Sequence, residues 1–268
     1  MKKQLLATAV LAVLSLNIAH AYQAELGAGL GYASIKSTPD DVKGYSANVS
    51  ATGYLDNVST RNGPLAEAGF INHASNGTLS YTYAQSKESG FDDFKTQNVA
   101  INGEYYVPQS ILYLSVNAAH NEVNEHGQNY NTYGAEIGVL PIPNLLLTVG
   151  VSSLETKTHT DNDPTIRAKW LAQLSTSNSL NLEGRARFGT DDKSYGVLAD
   201  FYLDRTFSIG TGYDTDHFKG ATNNPYQVNI NARKFFTRTF SVALLATTGK
   251  TDLNDKFYGV GLNGVWRF

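Results

Sequence analysis

The last twelve residues of the chain, Phe257 to Phe268, alternate between an apolar face and a mixed face. Counting back in twos from Phe268, no residue of the first face carries a charge, whereas the second face includes Arg267 and Asn263. Because successive side chains of a strand point to opposite faces, this pattern predicts a strand with one lipid-facing side and one wetter side. The closing strand of a membrane β-barrel has this character, and the last strand of a soluble sandwich is the alternative.

Alternating segments of roughly ten residues fill most of the chain, which favours an all-β, transmembrane antiparallel barrel. Short turns such as 204–206 and 237–239 alternate with polar connections such as 156–164 and 217–225. Aromatic residues cluster beside the short turns, as in the girdles of outer-membrane barrels. The fourteen predicted strands cover residues 23–34, 44–55, 78–86, 96–106, 111–120, 130–140, 145–155, 164–174, 179–189, 195–203, 207–216, 226–236, 240–249 and 257–268.

A fifteenth segment, residues 64–71, does not alternate and would give the barrel an odd number of strands. Leu65, Ala68 and Ile71 fall at helical spacing, Pro64 suits a first helical turn, and Glu67 lies where the helix dipole favours an acid. A single-chain bacterial barrel needs an even strand number. The sequence therefore predicts a short helix at 64–71 inside a long periplasmic connection, residues 56–76. A short strand is the alternative reading.

The N-terminus has the features of a secretory signal peptide. Lys2 and Lys3 precede an apolar core, and Ala19-His20-Ala21 forms a small-x-small cleavage site. This predicts a signal peptide at 1–21 and a mature barrel domain at 22–268. The chain has no cysteine, so disulfides do not stabilise it. Its net charge of −3 and the lack of a basic run give no reason to expect nucleic-acid binding.

The segment GPLAEAGFINHASN, residues 63–76, resembles the GPLAEAAFL-x-x-AS segment of the outer-membrane porins of Acinetobacter-type Gram-negative bacteria. Ala21-Tyr22-Gln23, Tyr54-Leu55, YTYAQ at 81–85 and the aromatic C-terminus also match. The resemblance is strong over residues 21–86 and architectural beyond them. It implies a fourteen-stranded barrel whose first periplasmic turn folds into the lumen. This chain departs from the pattern in being shorter and in having Gly69 where Ala is usual.

In such a barrel the plug would be built by the first periplasmic turn. Its predicted residues are Pro64, Leu65, Glu67 and Phe70. Glu67 is the natural partner for a lumen cation, which could be Arg185, Lys169 or Arg167.

Assigning the apolar register to lipid places the other register in the lumen. The eighth and ninth predicted strands then point cations inward, and these strands lie across the ring from the first two. A basic wall facing an acidic one would set up a transverse field that filters solutes by charge. Salt bridges that fill the interior are the alternative, although fourteen strands enclose more space than eight. The predicted pore-lining residues are Arg167, Lys169, Arg185, Arg187 and Glu183 on one wall, and Glu25, Glu104 and Glu136 on the other.

An enzymatic role is not expected. The histidines after the signal peptide lie in loops or at strand ends and form no recognisable catalytic pair. No spacing matches a zinc or calcium site, and no cofactor is implied. A lipolytic or proteolytic barrel remains an alternative that would depend on His159 or His217. A second alternative is a non-conducting, adhesin-like barrel whose extracellular loops bind a surface partner.

The expected function is passive diffusion of small hydrophilic solutes across the outer membrane of a Gram-negative bacterium, partly obstructed by the first periplasmic turn. The expected partners are outer-membrane lipid and lipopolysaccharide. Barrel-assembly machinery would read the C-terminal strand through Tyr258, Trp266 and Phe268. A monomer is expected, because no long constricting loop of the trimeric-porin kind is evident.

Overall fold

The computed structural model describes residues 21–37, 41–87, 93–124 and 129–268. The predicted signal peptide lies outside the described residues, except for Ala21, where the first strand begins. Within the described ranges, no helix has the length and hydropathy that a transmembrane helix requires.

Fourteen antiparallel strands form a closed barrel, which confirms the predicted fold and strand number. Each strand pairs with its neighbours in sequence, and the first pairs with the last. The strands are β1 (Ala21–Lys36), β2 (Val42–Ser59), β3 (Asn76–Lys87), β4 (Phe94–Tyr106), β5 (Leu112–Val123), β6 (Tyr130–Ile142), β7 (Leu145–Glu155), β8 (Thr160–Gln173), β9 (Ser179–Phe188), β10 (Asp192–Tyr202), β11 (Phe207–Phe218), β12 (Tyr226–Phe235), β13 (Phe240–Lys250) and β14 (Lys256–Arg267).

The apolar register faces outward, as β14 shows most clearly. Tyr258, Val260 and Trp266 are 49%, 59% and 45% exposed, whereas Arg267, which follows Trp266 in the other register, is 6% exposed. Because outward and inward side chains alternate along each strand, the polar register lines the interior. At the closure of the barrel, the Phe268 carbonyl accepts hydrogen bonds from the Gln23 and Ala24 amides at 2.6 and 3.1 Å. Closure leaves the sheet without an exposed edge.

The connections at the extracellular end are shorter than the sequence predicted. Residues 156–164 were expected as a loop, but β8 already begins at Thr160 and pairs there with Glu155. Likewise β11 runs to Phe218, inside the predicted 217–225 loop. Strand pairing needs no apolar register once the wall rises above the lipid, so polar sequence continues the sheet there.

The connection between β2 and β3, residues 60–75, is called the plug segment below. It contains a 3-10 turn at Leu65–Glu67 and the helix α1 at Ala68–Ile71, which confirms the helix predicted at 64–71. The segment starts later than the predicted residue 56, because β2 continues to Ser59. Gly63 reverses the chain with φ +63°, and a Cβ there would lie 2.5 Å from Ile71 Cδ1. Both the left-handed φ and the close approach favour glycine at this turn.

The plug segment carries the main apolar core, at the periplasmic end of the barrel interior. One cluster places Phe70 among wall residues of several strands, and a second places Ala68 and Ala74 against Tyr22 and Val58. The members of the first cluster are Phe70, Tyr106, Tyr113, Leu140, Leu146, Leu171 and Tyr202.

The aromatic residues beside the short turns divide between the two faces. Tyr105 and Phe201 are exposed on the outer surface, where an aromatic girdle was expected. Tyr106 and Tyr202, which follow them directly, are buried against the plug segment. Neighbouring residues of a strand must point to opposite faces, so a pair of aromatics supplies one girdle residue and one core residue.

Candidate functional site: the lumen and its plug segment

Glu67 anchors the plug segment to the barrel wall. Its Oε2 lies 2.9 Å from Lys169 Nζ on β8, and the Tyr202 hydroxyl on β10 donates to Oε1 at 2.6 Å. Lys169 is one of the three partners that the sequence suggested. The Glu67 and Lys169 side chains are only 9% and 18% exposed, respectively. Burial alone would raise the pKa of Glu67, but Lys169 and the hydrogen bonds from Lys169 and Tyr202 together hold that pKa below its ordinary value.

Two arginines clamp the backbone of the plug segment. Arg267 Nη1 donates to the Leu65 carbonyl at 2.8 Å, while its Nε pairs with Glu25 at 2.9 Å. Arg205, in the turn between β10 and β11, donates from Nε to the Gly63 carbonyl at 3.0 Å. The Leu65 amide in turn donates to the Arg205 carbonyl at 2.8 Å. Hydrogen bonds from charged groups are worth more than neutral ones, so these contacts fix the N-terminal half of the segment.

Neither arginine was among the residues predicted for the site. The available signal for Arg267 was its place as the one cation in the inward register of the last strand. Arg205 lies in a turn, where sequence gives no indication of what the side chain reaches. Tyr202 is one of the aromatic residues beside the short turns, which the sequence assigned to a girdle. Strand register alone does not indicate that the plug segment lies against it.

Phe70 is the apolar anchor of the plug segment. Its ring packs in the cluster with Tyr106, Leu146 and Tyr202, and Lys169 Nζ lies 4.8 Å from the ring centroid. Burying a phenylalanine contributes roughly 1.5–3 kcal/mol. The cation–ring contact adds a smaller, desolvated attraction. Lys169 therefore contacts both the charged and the apolar anchor of the segment.

Gly69 leaves unfilled space beside Tyr54. A Cβ at Gly69 would lie 3.4 Å from Tyr54 Cε1 and 3.5 Å from its hydroxyl oxygen, which is ordinary contact distance. Alanine is about 1 kcal/mol more favourable than glycine inside a helix. We expect Gly69→Ala to favour the docked plug segment about fivefold, as measured by the protection of its amides from hydrogen exchange. Gly53→Ala, at an open site in β2, is the control. An equal effect of both changes would contradict the packing argument.

A polar cavity of about 540 Å³ lies directly above the plug segment, with Ala66, Glu67 and Phe70 among its lining residues. A second cavity of about 560 Å³ lies nearer the extracellular end. All eight predicted pore-lining residues border one or both of them. The first cavity is lined by Glu25, Glu104, Arg167, Lys169 and Glu183, and the second by Glu136, Arg167, Arg185 and Arg187.

The cations of the predicted basic wall each have a carboxylate close by. Arg167 Nη2 lies 2.8 Å from Glu136 Oε2, and Arg185 Nη2 lies 2.6 Å from Asp214 Oδ1. Arg187 bridges Asp163, at 2.5 Å, and Asp192. Placing Glu136 on a facing acidic wall was wrong, since β6 is only two strands from β8 and Glu136 pairs with Arg167. The charges are thus neutralised locally, which weakens any field across the lumen.

Glu104 and Glu183 differ from the other predicted carboxylates. Glu104 accepts hydrogen bonds from Tyr113 at 2.8 Å and Asn76 at 3.1 Å. Glu183 is the cross-strand neighbour of Lys169. In the described part of the chain, no lysine or arginine nitrogen lies within 4 Å of either carboxylate. Both act on Lys169 at longer range, so its ammonium is surrounded by acids on the plug segment and on the wall.

A closed barrel of fourteen strands, with an apolar outer register and a polar, charged lumen, defines the class of outer-membrane porins. The chain belongs to the family described as "Putative general bacterial porin", whose model matches residues 1–163. It is therefore a protein of the outer membrane of a Gram-negative bacterium.

Two solved structures illustrate the likeness of fold. The outer membrane protein Omp33 of Acinetobacter baumannii is 23% identical, with a TM-score of 0.70, covering 93% of this chain and 100% of that one. An outer membrane channel from Pseudomonas putida F1 is 10% identical, with a TM-score of 0.54, covering 94% and 98%. No curated protein sequence matches the chain.

Proposed function

We propose that the protein is a passive channel for small hydrophilic solutes, obstructed at its periplasmic end by the plug segment. The observation that carries this proposal is the pairing of a polar lumen cavity with a floor held by non-covalent contacts. The ion pair of Glu67 and Lys169 is central to that floor. A floor of this kind can undock and redock, because each contact has a few kcal/mol at most.

The proposed transport involves no covalent chemistry, and flux follows the solute gradient. His159 and His217, on which an enzymatic barrel would depend, lie away from the lumen cavities. His159, in the turn before β8, pairs with Asp161 of that strand at 2.7 Å, and the His217 ring packs against Tyr195. Neither histidine borders the lumen cavities described above. A hydrolytic role would require a nucleophile held at such a histidine.

Planar-bilayer recording of the detergent-folded protein tests the proposal. We expect discrete, ohmic current steps that are rare in the native chain, because the plug segment obstructs the lumen. Liposome swelling with sugars of increasing size would measure the solute limit. Silence from folded protein with and without the plug segment would contradict a channel, and would favour a barrel that binds a surface partner.

The buried carboxylate of Glu67 makes plug docking sensitive to acid. Its pKa is lowered in the docked state, so its stabilising contribution is fully present above the ordinary carboxylate pKa of about 4.3. The contribution is lost as pH falls through the depressed value. The facing groups are Lys169, Tyr202 and, at longer range, Arg233. We expect the open fraction to rise below about pH 4 and Glu67→Gln to abolish most of that rise. Closure in acid would contradict this.

Assembly and oligomeric state complete the proposal. We propose that assembly machinery reads the C-terminal strand, in which Tyr258 and Trp266 face outward and Phe268 closes onto β1. We further propose that the barrel acts as a monomer, since its lumen and plug segment are built from one chain.

A further inference from the structure

Lysines occupy the extracellular ends of six neighbouring strands, in the outward register. In each strand the same register holds exposed apolar residues nearer the membrane, such as Leu30 in β1, Val49 in β2 and Leu244 in β13. The strands β13, β14, β1, β2, β3 and β4 are contiguous in the barrel. The residues, called the lysine row below, are Lys250, Lys256, Lys36, Lys43, Lys87 and Lys95.

The lysine row places like charges directly opposite one another. Lys256 is the cross-strand partner of both Lys36 and Lys250. Lys43 is likewise opposite Lys87. Like charges in such positions destabilise a sheet. The arrangement is therefore unfavourable by itself and becomes favourable when anions lie beside it.

The described residues supply only part of the compensating charge. Lys36 pairs with Asp41, and Lys87 Nζ lies 3.3 Å from Asp93 Oδ2. For Lys43, Lys95, Lys250 and Lys256, no carboxylate of the described residues lies within 4 Å. These four side chains point away from the lumen, so solutes in the channel are not their partners.

A row of tyrosines lies beneath the lysines on the same surface. Tyr258 and Tyr45 follow Lys256 and Lys43 by two positions, on the membrane side of each lysine, and the ring centroids of Tyr32 and Tyr45 are 5.2 Å apart. Tyrosines on the outside of a barrel mark the headgroup level of the membrane. At about 3.3 Å per residue, the lysines stand roughly 7 Å further out, at the depth of lipid phosphates.

The rest of the rim is different. On β5–β12, the corresponding outward positions of the described residues hold one lysine, Lys193. Glu155 lies on this side, where it accepts hydrogen bonds from Asn131 and Tyr133. The basic surface is therefore one-sided. A general need for solubility does not account for it, because such a need would apply around the whole rim.

We propose that the lysine row binds the phosphate groups of lipopolysaccharide in the outer leaflet. Clusters of four to eight basic side chains beside a membrane surface attract anionic lipid, with each lysine contributing to the attraction. Lysine ammonium groups supply point charges with three donors, and the tyrosine hydroxyls beneath can donate to headgroup oxygens. The site lies outside the lumen, so it does not depend on whether the channel conducts.

The test measures retention of purified lipopolysaccharide by immobilised, detergent-folded protein, with a chelator present to remove divalent bridges. Lys43→Gln/Lys256→Gln removes two exposed lysines of the row. Lys193→Gln/Lys219→Gln removes two from the other side, Lys193 on β10 and Lys219 in the turn after β11. We expect the first pair to weaken binding about thirtyfold and the second to have little effect. Folding is verified by the heat-dependent shift in SDS gel mobility. Lys43→Arg/Lys256→Arg keeps the charge and should retain binding.

A third arm identifies the group that is recognised. Lipopolysaccharide treated to remove its phosphates should bind the native protein no better than the Lys43→Gln/Lys256→Gln variant binds the untreated lipid. Equal losses in the two glutamine pairs, no loss in either, or full retention of the dephosphorylated lipid would each overturn the proposal.

Discussion

Replacing residues 64–74 by a short Gly/Ser linker is expected to raise the mean current through the channel at least about tenfold. The expectation follows from the contacts that hold the plug segment, namely the Glu67–Lys169 pair, the Arg267 and Arg205 hydrogen bonds, and the buried Phe70. A state held by a few kcal/mol leaves its alternative populated at roughly 0.1–10%. Removing the segment makes the open state permanent. The increase in mean current is therefore larger when the native channel is open for a smaller fraction of the time.

The deletion leaves the barrel wall intact. The Leu55 amide donates a hydrogen bond to the Ser75 carbonyl at 2.9 Å, and the Tyr106 amide donates one to Ser75 Oγ at 3.0 Å. Both hydrogen bonds join residues outside the replaced segment, so they keep the start of β3 in place. The matched control replaces the same residues by a Gly/Ser sequence of equal length, which loses the anchors but keeps the chain. We expect it to give a noisy current between those of the native and deleted proteins. Unchanged current in both variants, with the SDS mobility shift of folded barrels, would show that the segment does not obstruct the lumen.

The sequence predicted the barrel well because the bilayer imposes a strict local rule. Each strand must alternate between apolar and polar residues. The sequence of segments such as Ile166–Leu174 and Phe257–Phe268 therefore shows that they are strands and which of their faces contacts lipid. The even strand number then isolated residues 64–71 as a helix. The same rule failed above the bilayer, where Thr160–Asp163 extends β8 with no apolar register to show it.

The residues predicted for the site border the lumen cavities, but the sequence indicated only part of their ion pairing. Register places Arg167 and Arg185 in the lumen, and both border its cavities. Which carboxylate each one contacts depends on strand stagger and side-chain reach, and these brought Glu136 and Asp214 beside them. The hydrogen bond from Arg267 depends on where the plug segment lies, and no periodic pattern in the sequence indicates that position. Glu67 was the exception, because a lone acid on a helix beneath a basic wall limits the choice of partner.

Lys169→Met is expected to open the channel more than any other single substitution of the plug contacts. Breaking a buried ion pair by removing one partner typically costs about 3–5 kcal/mol, because the remaining charge stays desolvated. Here the loss is compounded, since Glu67, Glu104 and Glu183 all act on the Lys169 ammonium. Without it, three carboxylates share one region of the lumen. We expect the open-to-closed ratio at pH 7 to rise on the order of a hundredfold, measured by single-channel recording.

Glu67→Gln should open the channel less than Lys169→Met, because Lys169 keeps Glu104 and Glu183 nearby and the glutamine can still accept from Tyr202. The double variant Glu67→Gln/Lys169→Met should open the channel less than Lys169→Met alone, because it neutralises the buried charge that Lys169→Met leaves unpaired. Arg185→Met removes a lumen cation far from the plug segment and serves as the control. If its effect matched that of Lys169→Met, the opening would reflect lumen charge in general. Additive single effects in the double variant would show that the two side chains act separately and that their contact does not hold the plug segment.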